Sequence, residues 1–258
     1  MEWRTQPCLH GEFCWHEVNT RDPAGTVAFY RSLLSAETAT MPMPHGDYTM
    51  LSVDGHTLFG VMPLDGIAPP HVPTHWLGYV AVDDVDASTA RAAGLGAKVL
   101  VPVMEIPIGR WSLIEHAAGG VAALFQAAPG RTDGTNSFGP GAVGWNQLAT
   151  PDPAGAVAFW EQLVGWDAAL PPDGGADGAR RMQAHGRPAA GILRASQDAP
   201  YPMWLPFLLV DRLTDALQRA KALGASIRTE PLPVPGIGTA AVIADPQGAI
   251  VALGEPNP

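Results

Sequence analysis

The hydrophobic and polar positions of this chain change period many times along its length. Residues 13–20, FCWHEVNT, alternate and are rich in β-formers, the pattern of a strand with one buried face. The alternation stops at Arg21-Asp22-Pro23, where Asp22 suits a helix N-cap and Pro23 the first helical position. Beyond it Val27, Tyr30, Leu33 and Leu34 recur at helical spacing. Two more runs, YTMLSVDG and HTLFGVMPL, meet at Asp54-Gly55, a dipeptide that favours a two-residue hairpin. After the proline-rich DGIAPPHVP, the run HWLGYVAVDDV reads as a strand and DASTARAAGLGA as a capped helix ending in glycine. KVLVPVMEIP, GRWSLIEH and GVAALFQA supply three further strands.

The whole order then returns. DPAGTVAFY at Asp22 reappears as DPAGAVAFW at Asp152, and PMWLPFLLV answers THWLGYVAV, with Trp204 for Trp76 and Leu205 for Leu77. LTDALQRAKALGA answers the second helix, and GTAAVIADPQGAIVALGEP answers GRWSLIEHAAGGVAALFQA, with Gly248 for Gly119. Four β-α-β-β-β units of about sixty residues account for most of the chain, which predicts an α+β protein built by internal duplication. The expected layout is one domain over 11–128, a linker over 129–140 rich in Gly, Ser, Thr and Asn, and a second domain over 141–255.

Composition narrows the function classes. With 25 acidic against 15 basic residues the 258-residue chain carries a formal charge of −10, which disfavours nucleic acid and anionic membrane surfaces as partners. No apolar run approaches the roughly 20 residues that span a bilayer, and the first residues show no apolar signal segment. Cys8 and Cys14 are therefore expected to be reduced thiols of a cytoplasmic protein. Neither a phosphate-binding glycine loop nor a G-x-S-x-G nucleophile elbow occurs, so no nucleotide cofactor is expected.

The paired modules, the FY or FW inside the first helix of each half, and the closing DPQGAIVAL resemble the vicinal-oxygen-chelate superfamily. This group includes glyoxalase I, bleomycin-resistance proteins, fosfomycin-resistance transferases and extradiol dioxygenases. The resemblance is greatest to its two-domain bacterial branch, often labelled as hydroxylases or antibiotic-tailoring proteins. It implies tandem domains whose four modules form two cup-shaped sheets around small-molecule clefts, but it does not imply one reaction. It also implies three metal-ligand positions per cup. Those positions fall on Trp15, Leu77 and Ala123 in the first half and on Trp145, Leu205 and Ala252 in the second. None of these side chains can ligate a hard or borderline cation, so no metal and no cofactor is expected.

Strand phase nominates the residues that face the clefts instead. Trp15, Glu17 and Asn19 share one face of their strand, while His16 falls on the other. His75 and Tyr79 lie on the cup face of the next module, so Glu17 and His75, both expected at the cleft rim, form the candidate acid–base pair. Trp15, Asn19, Tyr79 and Arg110, with Trp145 and Gln147 in the second cup, are the candidate substrate-binding residues. The second cup is the less ionisable, which favours chemistry in the first. The resulting expectation is a metal-independent protein that binds, and as a hydroxylase or isomerase transforms, a planar small molecule. Two alternatives stay open: a metal-dependent lyase or dioxygenase with a relocated site on His75 and Glu17, and a pure ligand-sequestering resistance protein. The sequence also leaves a homodimer open.

Overall fold

The repeated DPAG tetrapeptide sets the start of one helix in each half, and the reason is a side-chain cap. Asp22 and Asp152 each accept a hydrogen bond from the backbone N–H three residues on, at Gly25 (2.9 Å) and Gly155 (3.0 Å). The capping carboxylate lies so close that a Cβ at either glycine would collide with it. In this computed structural model, which describes residues 2–130, 135–171, 178–195, 202–234 and 237–257, these helices are α1 (Pro23–Leu34) and α3 (Pro153–Val164).

The first half contains β1 (Arg4–Pro7), β2 (Phe13–Thr20), α1, β3 (Glu37–Met41), β4 (Tyr48–Val53) and β5 (His56–Pro63). It continues with β6 (His75–Ala81), α2 (Val85–Gly94), β7 (Lys98–Ile106), β8 (Gly109–His116) and β9 (Gly120–Ala127). After β10 (Thr135–Phe138) the second half runs β11 (Val143–Thr150), α3, β12 (Asp167–Ala169), β13 (Arg180–Ala184) and β14 (Arg187–Arg194). It ends with β15 (Met203–Leu209), α4 (Leu213–Ala222), β16 (Ser226–Ile227), β17 (Leu232–Val234), β18 (Gly238–Ala244) and β19 (Ile250–Pro256). The expected β-α-β-β-β order is thus present in the α+β fold. Asp54 and Gly55, at φ 51° and 77°, form the anticipated tight hairpin between β4 and β5.

Two large sheets result, ordered β3-β4-β5-β2-β6-β9-β8-β7 and β12-β13-β14-β11-β15-β19-β18-β16, with β17 paired to β18. In each half the two modules join through their first strands, β2 with β6 and β11 with β15, both antiparallel. The connecting segment is more than a linker: β10 within it pairs antiparallel with β1, while residues 131–134 lie outside the described residues.

The two halves share their cores. One cluster draws mainly on the second module of the first half (Val85, Ile114, Leu124) and the first module of the second half (Phe159, Trp160, Leu163). The other joins Phe29, Tyr30 and Leu33 to Leu213, Ile243 and Val251. The repeated FY and FW are seam residues. The Tyr30 hydroxyl donates to Asp245 Oδ2 (3.0 Å) and accepts from Trp76 Nε1 (3.1 Å), while Trp160 Nε1 donates to the Gly119 carbonyl (3.2 Å). Each half therefore seats its first helix on the last β-turn of the other. Packing the convex faces together leaves both concave faces outward, and these carry the candidate sites.

Candidate functional site

Register across the first sheet assembles the first cup. Trp15 stands opposite Tyr79, and Tyr79 opposite Ala123; Glu17 stands between Gly60 and Leu77, and Asn19 faces His75. Trp15, Glu17, Asn19, His75 and Tyr79 therefore share one concave face, as strand phase requires.

The depth of Glu17 differs from the sequence reading. It was expected near a polar rim, yet it is only 4% exposed, because β2 is a central strand walled by β5 and β6. Its carboxylate accepts from the Tyr79 hydroxyl (2.8 Å) and from Asn19 Nδ2 (3.3 Å), both at Oε1. The Tyr48 hydroxyl is a further hydrogen-bond partner and itself accepts from Trp15 Nε1 at 2.8 Å. Burial pushes the Glu17 carboxyl above the ordinary glutamate range, and the hydrogen bonds from Tyr79, Asn19 and Tyr48 hold it back only in part. The same burial, with the Glu17 charge alongside, raises the phenols of Tyr48 and Tyr79 well above theirs, so both remain hydrogen donors.

Tyr48 and Trp111 are cup residues that the sequence reading missed. Tyr48 begins β4 two strands away from Glu17, and it reaches Glu17 only because Gly60 intervenes, where a Cβ would collide with its hydroxyl. Position within the run could have placed Tyr48 on the cup face, since it shares the parity of Met50, which faces Gly60. Trp111 packs near Tyr79 at a ring separation of 6.0 Å.

Two nominated residues behave differently from expectation. Arg110 is turned away from the cup and makes two contacts with Asp86 of α2, because its strand neighbours Trp111 and Leu113 take the concave face. His75 lies on the cup face, but among the described residues no hydrogen bond joins it to Glu17. Its Nδ1 instead meets the Pro73 carbonyl at 2.8 Å, which leaves Nε2 as the free nitrogen, and burial lowers its basicity. His16 is buried at the seam, with Nε2 2.7 Å from Asn146 Oδ1.

The second cup repeats the geometry with other chemistry. Trp145 Nε1 donates to Gln147 Oε1 (3.2 Å), and Trp145 packs with Phe207, Ala240 and Ala252. The positions at which the superfamily holds a metal carry Trp15, Leu77 and Ala123 here, and Trp145, Leu205 and Ala252 there. Glu17, on the same face as Trp15, accepts at Oε1 from Tyr79 and Asn19, and no group of three or more His, Cys, Asp or Glu side chains is set to hold an ion among the described residues. The donor set does not fit the metal of the superfamily. No helix among the described residues is long and apolar enough to cross a membrane.

Comparison with known proteins agrees with this architecture. The glyoxalase-like domain family matches residues 146–253. CFP32 of Mycobacterium tuberculosis (strain CDC 1551 / Oshkosh), named as a glyoxylase, is 30% identical over 248 residues, covering 95% of this chain and 94% of its own length. The anthracycline biosynthesis protein DauV of Streptomyces sp. (strain C5) is 30% identical over 268 residues, covering 96% and 95%. Among solved structures, the 2,2',3-trihydroxybiphenyl 1,2-dioxygenase of Sphingomonas wittichii strain RW1 superposes with a TM-score of 0.65 at 14% identity, covering 96% of this chain and 91% of its own. The Mn(II)-bound glyoxalase of Novosphingobium aromaticivorans gives 0.63 at 16% identity, covering 95% and 82%. Full-length relatives, four modules in register and two cupped sheets lead to one conclusion: this chain belongs to the vicinal-oxygen-chelate superfamily.

Proposed function

We propose that the protein binds a planar small molecule in the first cup and acts on it without a metal, with Glu17 as the group that moves a proton. The observation that carries this reading is a carboxyl on the cup floor, buried and raised toward neutrality, fixed by Tyr79, Asn19 and Tyr48. A carboxyl whose pKa is raised by burial holds a proton more readily than an exposed glutamate, which suits it to give and take one in general acid–base catalysis. Tyr79 and Asn19 set its orientation. The neutral His75, its Nδ1 directed to Pro73, presents Nε2 as a second base nearer the rim. Trp15, Trp111 and Tyr79 supply aromatic faces for a flat ligand. Relatives named for anthracycline biosynthesis favour a fused-ring aromatic, and a tailoring isomerase or hydroxylase suits that chemistry.

The test is titration of EDTA-treated protein with 1,8-dihydroxyanthraquinone, alongside mass spectrometry of any molecule that co-purifies. Binding should survive EDTA and weaken in Tyr79→Phe and Trp15→Phe, while Gln147→Ala binds as wild type. Turnover of the co-purified compound should be lost in Glu17→Gln. About one metal per chain, lost on replacing His75 or Glu17, would overturn the reading in favour of a metal-dependent lyase or dioxygenase. Binding without any turnover, unchanged in Glu17→Gln, would make this a sequestering protein.

A further inference from the structure

The second cup holds a cation, Arg181, that has no carboxylate partner among the described residues. In β13, Arg181 stands opposite Gly191 of β14, and Gly191 stands opposite Gln147 of β11, so the three positions form one row across the cup. A Cβ at Gly191 would collide with the Gln147 amide, which therefore lies over the glycine, between β11 and β13. The Arg181 guanidinium carbon sits 5.6 Å from the centre of the Trp145 ring. Its Nε is buried and has no hydrogen-bond partner among the described residues.

A buried, unpaired donor on a charged group is costly unless something absent from the free protein satisfies it. The chain has acids to spare, with a formal charge of −10, and Arg21, Arg110, Arg187 and Arg212 each hold a carboxylate. Arg181 holds none among the described residues. Around it the cup is apolar: Trp145 and Phe207, with Leu205 and Val242 packed against them. Gln147 gives its oxygen to the Trp145 indole, which leaves its N–H groups to donate.

We infer that the second cup is a binding site for a planar aromatic carboxylate, anchored by Arg181. The ligand ring would lie in the apolar part of the cup. Its carboxylate would accept from Nε and one Nη of Arg181, the side-on fork that a guanidinium offers a planar anion. Phosphate esters and dianions fit less well, since among the described residues the row across the cup offers Arg181 alone as a cation, beside the apolar cluster of Trp145 and Phe207. The equivalent row in the first cup reads Met50, Gly60, Glu17, so the ionisable side chain stands on the central strand in one cup and two strands away from it in the other. This site is independent of the proton-transfer reading of the first cup.

The experiment is isothermal titration calorimetry of the full chain with 2-naphthoate and its neutral isostere 2-naphthamide. Naphthoate should bind roughly ten-fold or more tightly than the amide, with an affinity that falls as salt rises. Arg181→Met should remove that preference, leaving the two probes about equal, and Arg181→Lys should retain part of it. Thermal melts of both variants check that the cup is folded, and the carboxylate-over-amide preference of the unmutated protein tests the idea even if they are not. Equal affinity for the two probes in the unmutated protein would overturn the proposal. So would a naphthoate preference that survives Arg181→Met but disappears in Glu17→Gln, which would move the site to the first cup.

Discussion

His16 provides a direct thermodynamic test of the seam between the halves. It is 7% exposed, stacks on Phe13 at a ring separation of 5.5 Å, and meets Asn146 Oδ1 through Nε2 at 2.7 Å. Burial lowers its pKa from 6.5 to about 4, against a smaller opposing effect of the Asn146 hydrogen bond. The folded protein therefore keeps His16 neutral where the unfolded chain takes up a proton. Stability conferred by the neutral ring is complete above about 6.5, declines as pH falls, and levels off below about 4. At about 1.36 kcal/mol per pH unit, the interval between those values corresponds to a loss of about 3 kcal/mol. Glu17 contributes with the opposite sign. Its raised pKa makes the folded state hold a proton that the unfolded chain releases near 4.5, so its contribution falls as pH rises. The two partly cancel in a simple pH scan.

The comparison that separates them is Glu17→Gln against Glu17→Gln with His16→Gln, since glutamine stays neutral and can still donate to Asn146. Urea unfolding followed by fluorescence at pH 7, 6, 5 and 4 gives the difference between the two, in which the remaining carboxylates cancel. The single variant should lose about 3 kcal/mol more than the double variant between pH 7 and pH 4. Profiles that stay parallel within about 0.5 kcal/mol would refute the reasoning, because His16 would then be solvated or protonated in the folded state.

Three further outcomes follow from the same geometry. Tyr30→Phe removes a buried donor to the Asp245 carboxylate and strands the Trp76 N–H, so chemical denaturation should show a loss of about 2–4 kcal/mol. Gly60→Ala should displace Tyr48 from the Glu17 network and cost about 1–3 kcal/mol, visible as a lower melting temperature and an altered near-UV spectrum of the aromatic side chains. A fragment of residues 141–258 alone should lack a cooperative unfolding transition, because α3 would lose its packing against Ile114 and Leu124, and α4 its packing against Tyr30 and Leu33.

Much of this fold was legible because its units repeat. Strand alternation placed Trp15, Glu17, Asn19 and Tyr79 on one face, and the DP dipeptides marked two helix starts. What the sequence concealed was distance from the edge. Alternation puts Glu17 on the cup face but is silent on how central its strand lies, so the sequence points to the rim where the structure buries the side chain. Tyr48 was missed because its contact with Glu17 spans two strands and depends on an absent side chain at Gly60. Arg110 lies on the other face because β8 pairs without a break with β9, a register that puts Trp111 and Leu113 on the cup face and that alternation within β8 alone does not reveal. β3, the exposed edge strand ETATM, has no buried face and so gave no hydrophobic signal. The shared cores were hidden for a similar reason: the period identifies modules, whereas which module packs on which is decided between distant residues such as Tyr30 and Asp245.

The duplication has diverged at the seam as well as in the cups: the Tyr30–Asp245 contact on one side answers Trp160–Gly119 on the other, and His16 meets its own counterpart, Asn146. The seam positions are coupled across the molecule. Asp22 caps α1 and also receives Gln247 Nε2 from the opposite half (3.3 Å), and Phe159 stacks on His116 at 3.9 Å. A change at any of these must be matched in the other half, because interiors packed to this density do not absorb altered volume or an unpaired polar atom. The cups face outward and answer only to what they bind. One half could therefore place a carboxyl at Glu17 beside Met50, while the other placed Gln147 beside Arg181, without disturbing the shared core. The outcome is one scaffold whose seam residues differ between the halves in matched pairs, while each cup face carries its own ionisable side chain, Glu17 in one and Arg181 in the other.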